Sequence, residues 1–209
     1  MAQIIKFPGR TTKFGYKRVR KRGRAESPNQ LQLFLPRSAT ILDFNAGLSS
    51  FERALKLDER DDLRAEELYR QAIAEEGCAA DAYCNLGILQ SKQGNTASAF
   101  DSFTRSLEHN PRHLEAHYNL GNLYFEVNDH RLAQVHYQIA AEIDPSFPNL
   151  YFNLALVLAI NNDLACAVRA LTTYQTLVSS EEAQKADELL ENLRKSLAVA
   201  KDARPGAAG

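Results

Sequence analysis

The sequence predicts an all-α protein, built as a solenoid of helix-turn-helix repeats. The pentapeptide at 83–87 returns at 117–121 and again at 151–155, with Asn-Leu-Gly or Asn-Leu-Ala in each copy. A second set of small residues has the same spacing: Ala99, Ala133 and Ala167. Repeats of about 20–50 residues are typical of solenoids, in which each unit packs mainly on its neighbours.

The segment 1–40 differs from the rest of the chain in charge and pattern. Residues 1–24 contain nine basic residues and no acid, whereas the remaining chain has 16 basic and 26 acidic residues. Scattered Gly and Pro and the lack of a helical period predict a basic, flexible tail over 1–40. One interpretation is a solubilising or self-docking tail. The other is a nucleic-acid contact, in which a basic block binds phosphates: Lys17, Arg18, Arg20, Lys21, Arg22 and Arg24.

An apolar island lies inside this tail, between Pro28 and Pro36. Because the following chain is helical and offers no partner strands, we expect the island to bind a surface. That surface is either the protein's own helices, contacted by residues 30–35, or a partner that recognises a linear motif. Four of its residues resemble the QLxLF pentapeptide by which bacterial replication and repair proteins bind the sliding clamp: Gln30, Leu31, Leu33 and Phe34.

From about residue 41, apolar residues recur at helical steps of three and four. A degenerate first repeat is expected over 41–79, since it lacks the Asn-Leu-Gly sequence and has Gly77 where later units have proline. Three clearer units follow, of which the first two are closed by Pro111 and Pro145, because proline cannot continue a helix. Their expected bounds are 80–113, 114–147 and 148–178.

Each unit is expected to have a small residue where its two helices approach each other: Gly87, Gly121 and Ala155. After the third unit, Ser179 and Glu182 form a capping box, the pattern that begins a helix. Apolar residues on one side of the following segment predict a capping helix over 179–201, which covers the last repeat. Residues 202–209 are expected to be a disordered tail.

Several classes of protein are disfavoured. The three cysteines are widely spaced without a CxxC pair, so we expect reduced thiols and a cytoplasmic location. No apolar run approaches the roughly 18 to 20 residues that span a membrane. His113 and His117 lie four apart, as metal ligands sometimes do, but they occupy a unit boundary and a packing position. No phosphate loop or nucleophile motif appears, so we expect no catalysis, metal or cofactor.

The units resemble tetratricopeptide repeats, which are helix-turn-helix modules of about 34 residues. The second unit carries most of the pattern of small and large residues that marks the family: His117, Leu120, Gly121, Tyr124, Ala133, Tyr137, Ala140 and Pro145. The resemblance covers about residues 45–200. It implies a right-handed superhelix, whose first helices line a concave groove that holds peptides or partner proteins without chemistry.

The resemblance also implies which residues line that groove. The sixth position of each unit faces it: Asn85, Asn119 and Asn153. Their amides could pair with the main chain of an extended ligand, or each could bond a neighbouring helix instead. The fifth and ninth positions share the groove wall: Cys84, Tyr118, Phe152, Ile88, Asn122 and Leu156. Asp81 and Glu115 at the second position disfavour the carboxylate clamp of chaperone-binding members and favour an apolar or basic peptide.

Two functions are therefore predicted. The first is a protein-protein interaction module or adaptor that binds a peptide segment or partner in the groove. The alternative is a nucleic-acid-associated factor, which would use residues 1–24 on phosphates and the QLxLF-like pentapeptide on a sliding clamp.

Overall fold

A computed structural model describes residues 47–75 and 77–202, and all regular secondary structure in these ranges is α-helical. Connections of two to five residues separate consecutive helices. In chain order the helices are α1 (Ser50–Asp58), α2 (Arg64–Ile73), α3 (Ala79–Lys92), α4 (Thr96–His109), α5 (Leu114–Glu126), α6 (His130–Ile143), α7 (Pro148–Ile160), α8 (Leu164–Leu177) and α9 (Ser180–Asp202).

The helices form a solenoid, as the sequence predicts. Each helix packs on its neighbours in the chain, which gives four helical hairpins, α1–α2, α3–α4, α5–α6 and α7–α8. The first helices of successive hairpins also touch, because α3 contacts α5 and α5 contacts α7. We therefore call α1, α3, α5 and α7 the inner helices, and α2, α4, α6 and α8 the outer helices.

Small residues allow the two helices of a hairpin to approach closely, as predicted. A Cβ atom added to Gly87 would lie 2.8 Å from the ring of Phe103, and one added to Gly121 would lie 2.5 Å from the ring of Tyr137. Both rings are almost fully buried. The absence of a side chain on the inner helix thus creates the space that the aromatic ring of the outer helix occupies.

The turns inside the last three hairpins repeat one backbone conformation. Gly94, Asn128 and Asn162 have positive φ angles of 80°, 62° and 63°. Glycine and asparagine are the residues that adopt this left-handed conformation at least cost. Asp129 and Asp163 then cap the outer helices α6 and α8, since each side chain accepts a hydrogen bond from the backbone N–H three residues on. These turns fix the direction of each outer helix.

The apolar core runs along the whole solenoid, from Phe51 to Leu193. In α7, every residue from Asn153 to Ala159 is buried. At the C-terminal end, α9 packs on α8 through four buried residues: Ala186, Leu189, Leu190 and Leu193. The Ser179 hydroxyl accepts the Glu182 N–H at 3.4 Å, as expected of a helix N-cap. None of the helices between residues 47 and 202 has the length and apolar character needed to cross a membrane.

Candidate functional site

Each inner helix turns the same face away from its outer partner. Gly87 of α3 faces α4, and Asp81, Asn85 and Ile88 lie roughly 100° to 160° around the helix from it, at about 100° per residue. The equivalent positions follow in α5 and α7, which touch in turn. We call this combined surface the inner face, and nine residues define it: Asp81, Asn85, Ile88, Glu115, Asn119, Asn122, Asn149, Asn153 and Leu156.

Two carboxylates and an imidazole form a buried cluster where α3 meets the start of α5. His113 Nε2 lies 3.0 Å from Asp81 Oδ1, and His113 Nδ1 lies 3.3 Å from Glu115 Oε2. We call Asp81, His113 and Glu115 the acidic cluster, and their exposed fractions are 5%, 2% and 4%. The cluster thus combines two acidic side chains with one imidazole.

The hydrogen bonds of His113 leave one carboxylate oxygen without a donor. His113 Nδ1 accepts the backbone N–H of Ala116 at 3.2 Å, so this nitrogen carries a lone pair. His113 Nε2–H is then free to donate to Asp81. Glu115 Oε2 faces the lone pair of Nδ1, and no hydrogen-bond donor reaches this buried oxygen from the described residues. Burial without a donor is unfavourable, and a cationic side chain would relieve it.

Cys84 lies beside the acidic cluster and has an exposed fraction of 1%. Burial, followed by the negative charge of Glu115, raises the pKa of this thiol well above its usual range. The Asn119 amide donates a long hydrogen bond to the sulfur, at 3.8 Å. Because the nucleophilic form of cysteine is the thiolate, a raised pKa disfavours nucleophilic chemistry at this position. Cys84 thus has the environment of a packing residue.

A network of buried polar side chains connects α5, α6 and α7 and includes two residues of the inner face, Asn122 and Asn153. Tyr137 donates from its hydroxyl to Asn122 Oδ1 at 2.7 Å. Asn153 Nδ2 donates to the same oxygen at 2.9 Å and to the Tyr118 hydroxyl at 3.1 Å. All four side chains are buried. The network fixes the relative positions of three helices, because each buried polar group needs its partner in place.

The three asparagines predicted to form a ladder are buried. Asn85, Asn119 and Asn153 have exposed fractions of 2%, 0% and 8%. The bonds of Asn119 and Asn153 described above reach neighbouring inner helices, and the Asn85 amide lies beside the Tyr69 hydroxyl of α2. Of the two interpretations of these residues, this geometry favours contact with a neighbouring helix.

The residues predicted for the groove wall also take part in packing. Tyr118 packs edge-on against Phe147, with ring centroids 4.9 Å apart. Phe152 is half-buried and lies against Tyr174 of α8, at 5.3 Å. The remaining wall residues have exposed fractions of 8% or less: Cys84, Ile88, Asn122 and Leu156. The side chains at the fifth position of each unit therefore fill the space between neighbouring helices.

His117 and His136 form a neutral pair between α5 and α6. His117 Nε2 lies 3.1 Å from the Pro111 carbonyl, so this nitrogen carries the proton and donates. His117 Nδ1 then accepts from His136 Nδ1 at 3.0 Å. Burial lowers the pKa of both rings, that of His136 to about 4. His113 and His117 therefore contact different groups. No group of three or more His, Cys, Asp or Glu side chains suited to a metal ion occurs within the described ranges.

An open cleft lies on the other side of α3, among α2, α3 and α4. Its volume is about 610 Å³, and Arg70, Tyr83 and Arg105 are among its lining residues. Both guanidinium groups are already paired, with Glu66 at 2.8 Å and with Asp101 at 2.9 Å. The two arginines of this cleft therefore have acidic partners, whereas the buried oxygen of Glu115 has no hydrogen-bond donor among the described residues.

The repeat sequence and the hairpin geometry agree with a known family. Residues 80–113 and 114–147, which contain α3–α4 and α5–α6, match the family model of the tetratricopeptide repeat. Residues 80–147 of this chain therefore form two tetratricopeptide repeats. Comparison with curated proteins gives no significant match.

Solved structures with the tetratricopeptide-repeat fold superimpose on most of the chain. MamA from Desulfovibrio magneticus RS-1 is 19% identical, with a TM-score of 0.60 over 73% of this chain and 84% of that one. MamA AMB-1 is 20% identical, with a TM-score of 0.60 over 75% and 85%. YrrB, described as a TPR protein with an unusual peptide-binding site, is 22% identical, with a TM-score of 0.55 over 61% and 66%. At these identities the likeness concerns the fold alone.

Two predicted sites of the tetratricopeptide-repeat chain lie outside the described residues. These are the basic block, Lys17 to Arg24, and the pentapeptide, Gln30 to Phe34. The structure adds the imidazole of His113, which lies between Asp81 and Glu115 and was not predicted as part of the candidate site. The available signal was the recurrence of an acid at the second position of two successive units, next to a histidine at the unit boundary.

Proposed function

We propose that this chain is a non-catalytic interaction module, whose inner face binds an extended segment of a partner protein. The observation that carries this proposal is the repetition of one helix face in α3, α5 and α7, which pack side by side. A segment that crosses the three helices meets equivalent positions at each step. Repeat proteins use such extended surfaces to bind partners.

The charges of the inner face indicate the chemistry of the segment. Asp81 and Glu115 place carboxylates on α3 and α5, whereas α7 has Asn149 at the same position. Leu156 and the half-buried Phe152 make the α7 end more apolar. A segment with basic side chains at one end and apolar side chains at the other is therefore complementary to this face. YrrB, a protein of the same fold, has an unusual peptide-binding site, which supports a peptide as the ligand by analogy.

Selection from a random peptide library tests this function. The full chain would be immobilised, and enriched peptides would be measured by calorimetry against the wild type and Glu115→Gln. Asp101→Asn is the matched control, because it removes a carboxylate from the outer helix α4, where Asp101 pairs with the exposed Arg105. We expect enrichment of Lys and Arg, and a loss of affinity of about tenfold in Glu115→Gln, since a charge-assisted hydrogen bond contributes about 1.5–3 kcal/mol.

Two results would contradict the proposed function. One is the absence of any enriched peptide. The other is a set of peptides whose affinity responds to Asp101→Asn but not to Glu115→Gln, since these peptides would bind the outer helices. Circular dichroism of each variant at 222 nm separates a loss of binding from a loss of folding.

A further inference from the structure

One carboxylate of the acidic cluster, that of Glu115, is buried without a cationic donor. Within the described ranges, the basic group within ion-pairing distance of Glu115 is the imidazole of His113, at 3.3 Å. The ring nitrogen nearest to Glu115 already accepts the Ala116 N–H, so it cannot donate to the carboxylate in this arrangement. The other ring nitrogen faces Asp81. A buried carboxyl oxygen is normally hydrogen-bonded, so a cationic donor would stabilise this position.

The chain itself holds an excess of such groups near its N-terminus. Residues 1–24 contain nine basic residues and no acid, and six of the nine fall between Lys17 and Arg24. The 22 residues between Arg24 and Gly47 could extend over about 75 Å, at about 3.3–3.6 Å per residue. α1 packs on α2, α2 packs on α3, and α3 contacts α5. Packed helices lie about 8–10 Å apart, so the distance from α1 to α5 is well within this reach.

We propose that residues 17–24 dock on the acidic cluster of the same chain and occupy the α3–α5 part of the inner face. This inference rests on the proposed function, because it assigns an occupant to the same surface. The basic block is the fitting segment, since its Lys and Arg side chains supply donors to Glu115. The apolar island at residues 30–35 has no cationic side chain to supply them.

Docking in the same chain makes the basic block a competitor of external ligands. Attachment to the same molecule gives an effective concentration in the millimolar range. If the basic block as a free peptide binds the face with a dissociation constant of about 0.1 mM, its attachment at about 1 mM effective concentration makes any external peptide bind about tenfold more weakly than it binds an unoccupied face. A partner gains access only by displacing residues 17–24, so the segment acts as an internal inhibitor.

A peptide titration on full-length chains tests this docking. The probe is a synthetic peptide of residues 13–25, titrated by calorimetry into the wild type and into a full-length variant with Gln at six positions: Lys17→Gln, Arg18→Gln, Arg20→Gln, Lys21→Gln, Arg22→Gln and Arg24→Gln. We expect the neutralised variant to bind the peptide about tenfold more tightly. Raising the salt from 50 mM to 500 mM should weaken this binding, because screening acts on ion pairs.

Substitutions in the neutralised chain locate the docking surface. Glu115→Gln keeps the shape of the side chain and removes its charge, so it should weaken peptide binding at least fivefold. Asp81→Asn is the second variant, in case Glu115→Gln does not fold, and it should act in the same direction. Asp101→Asn on α4 should leave the affinity unchanged.

Three results would overturn the docking. The first is equal affinity of the peptide for the wild type and the neutralised variant, or binding to neither. The second is an affinity that neither Glu115→Gln nor Asp81→Asn changes. The third is a mass that rises with concentration for the wild type but not for the neutralised variant, because the segment would then dock on another copy. If the docking fails but Glu115→Gln still weakens the binding of the peptides selected from the random library, only the docking is wrong and the proposed function holds.

Discussion

The hairpins α5–α6 and α7–α8 fill the contact between their two helices with different residues. We call this contact the joint of the hairpin. The joint of α5–α6 pairs Gly121 with Tyr137, and the joint of α7–α8 pairs Ala155 with Leu171, at equivalent positions in the repeat. All four are buried. A smaller residue on the inner helix is thus matched by a larger residue on the outer helix. The repeat therefore keeps the volume of the joint rather than the identity of its residues.

The two joints also differ in polarity. The Tyr137 hydroxyl donates to Asn122, which also accepts from Asn153, so the joint of α5–α6 belongs to a hydrogen-bond network. Leu171 offers no such bond, and its joint depends on apolar packing alone. The α5–α6 hairpin should therefore respond strongly to changes in shape and in hydrogen bonding, whereas the α7–α8 hairpin should respond to changes in volume.

The substitution Gly121→Ala should have the largest effect on stability. The new Cβ would lie 2.5 Å from Tyr137 Cε1, and the ring is held by the hydrogen bond to Asn122. We expect a loss of about 3 kcal/mol in the free energy of unfolding, at the upper end for overpacking. Urea denaturation followed by circular dichroism measures it. Gly87→Ala should cost less, because Phe103 has no hydroxyl to hold its ring.

A double substitution tests whether volume alone sets the joint. Gly121→Ala with Tyr137→Leu copies the α7–α8 joint into α5–α6. The double variant should be more stable than the sum of the two single changes predicts, by about 1–2 kcal/mol. Additive losses would show that the two residues do not share one packing volume.

The substitution Tyr137→Phe should have an intermediate effect. It keeps the ring and removes the hydroxyl, so Asn122 loses one of its two donors inside a buried network. We expect a loss of about 1.5 kcal/mol. Tyr151→Phe is the control, since this ring is only partly buried. An equal loss in both variants would mean that the network adds nothing specific to the α5–α6 hairpin.

Removing the caps of the two outer helices should affect both hairpins alike. Asp129 and Asp163 accept backbone N–H groups at 3.0 Å and 3.1 Å, so their roles match. We expect Asp129→Ala and Asp163→Ala each to cost about 1 kcal/mol. A large difference between the two variants, measured by urea denaturation, would show that the hairpins differ in local helix stability as well as in their joints.

Acid should destabilise the α5–α6 hairpin through its histidine pair. The pKa of His136 falls from 6.5 to about 4 in the folded chain, and burial also lowers the pKa of His117. Since the unfolded chain binds more protons below its pKa of 6.5, stability falls as the pH drops from about 6.5 to about 4. The melting temperature should drop a few degrees less over this range in the double variant His117→Tyr, His136→Ser. These residues occur at the same positions of the preceding hairpin, as Tyr83 and Ser102.

Most of the fold could be predicted from the sequence, for a physical reason. Residues that recur at one fixed spacing define the helix pairs, and Gly87 and Gly121 indicate where the helices approach. The terminal helix followed from the Ser179 cap and an apolar stripe. These features are local or repeated, so the sequence displays them directly.

The candidate site could be predicted only in part. The repeat shows that Asp81 and Glu115 occupy equivalent positions, but the cluster also needs His113, which repeats in no other unit. The roles of Asn119 and Asn153 depend on Cys84, Asn122 and Tyr118, which lie 31 to 35 residues away in the chain. Such pairings between units depend on how the hairpins stack, and a repeat pattern does not specify that.

The most direct test of the central claim is to locate a bound cationic segment on the solenoid. The chain with Gln at the six basic positions of 17–24 would be labelled with ¹⁵N and titrated with the peptide of residues 13–25. We expect the largest amide shifts in the first two turns of α3 and α5, around Asp81 and Glu115, and small shifts in α4 and α6. Shifts confined to the outer helices, or no shifts at millimolar peptide, would contradict it.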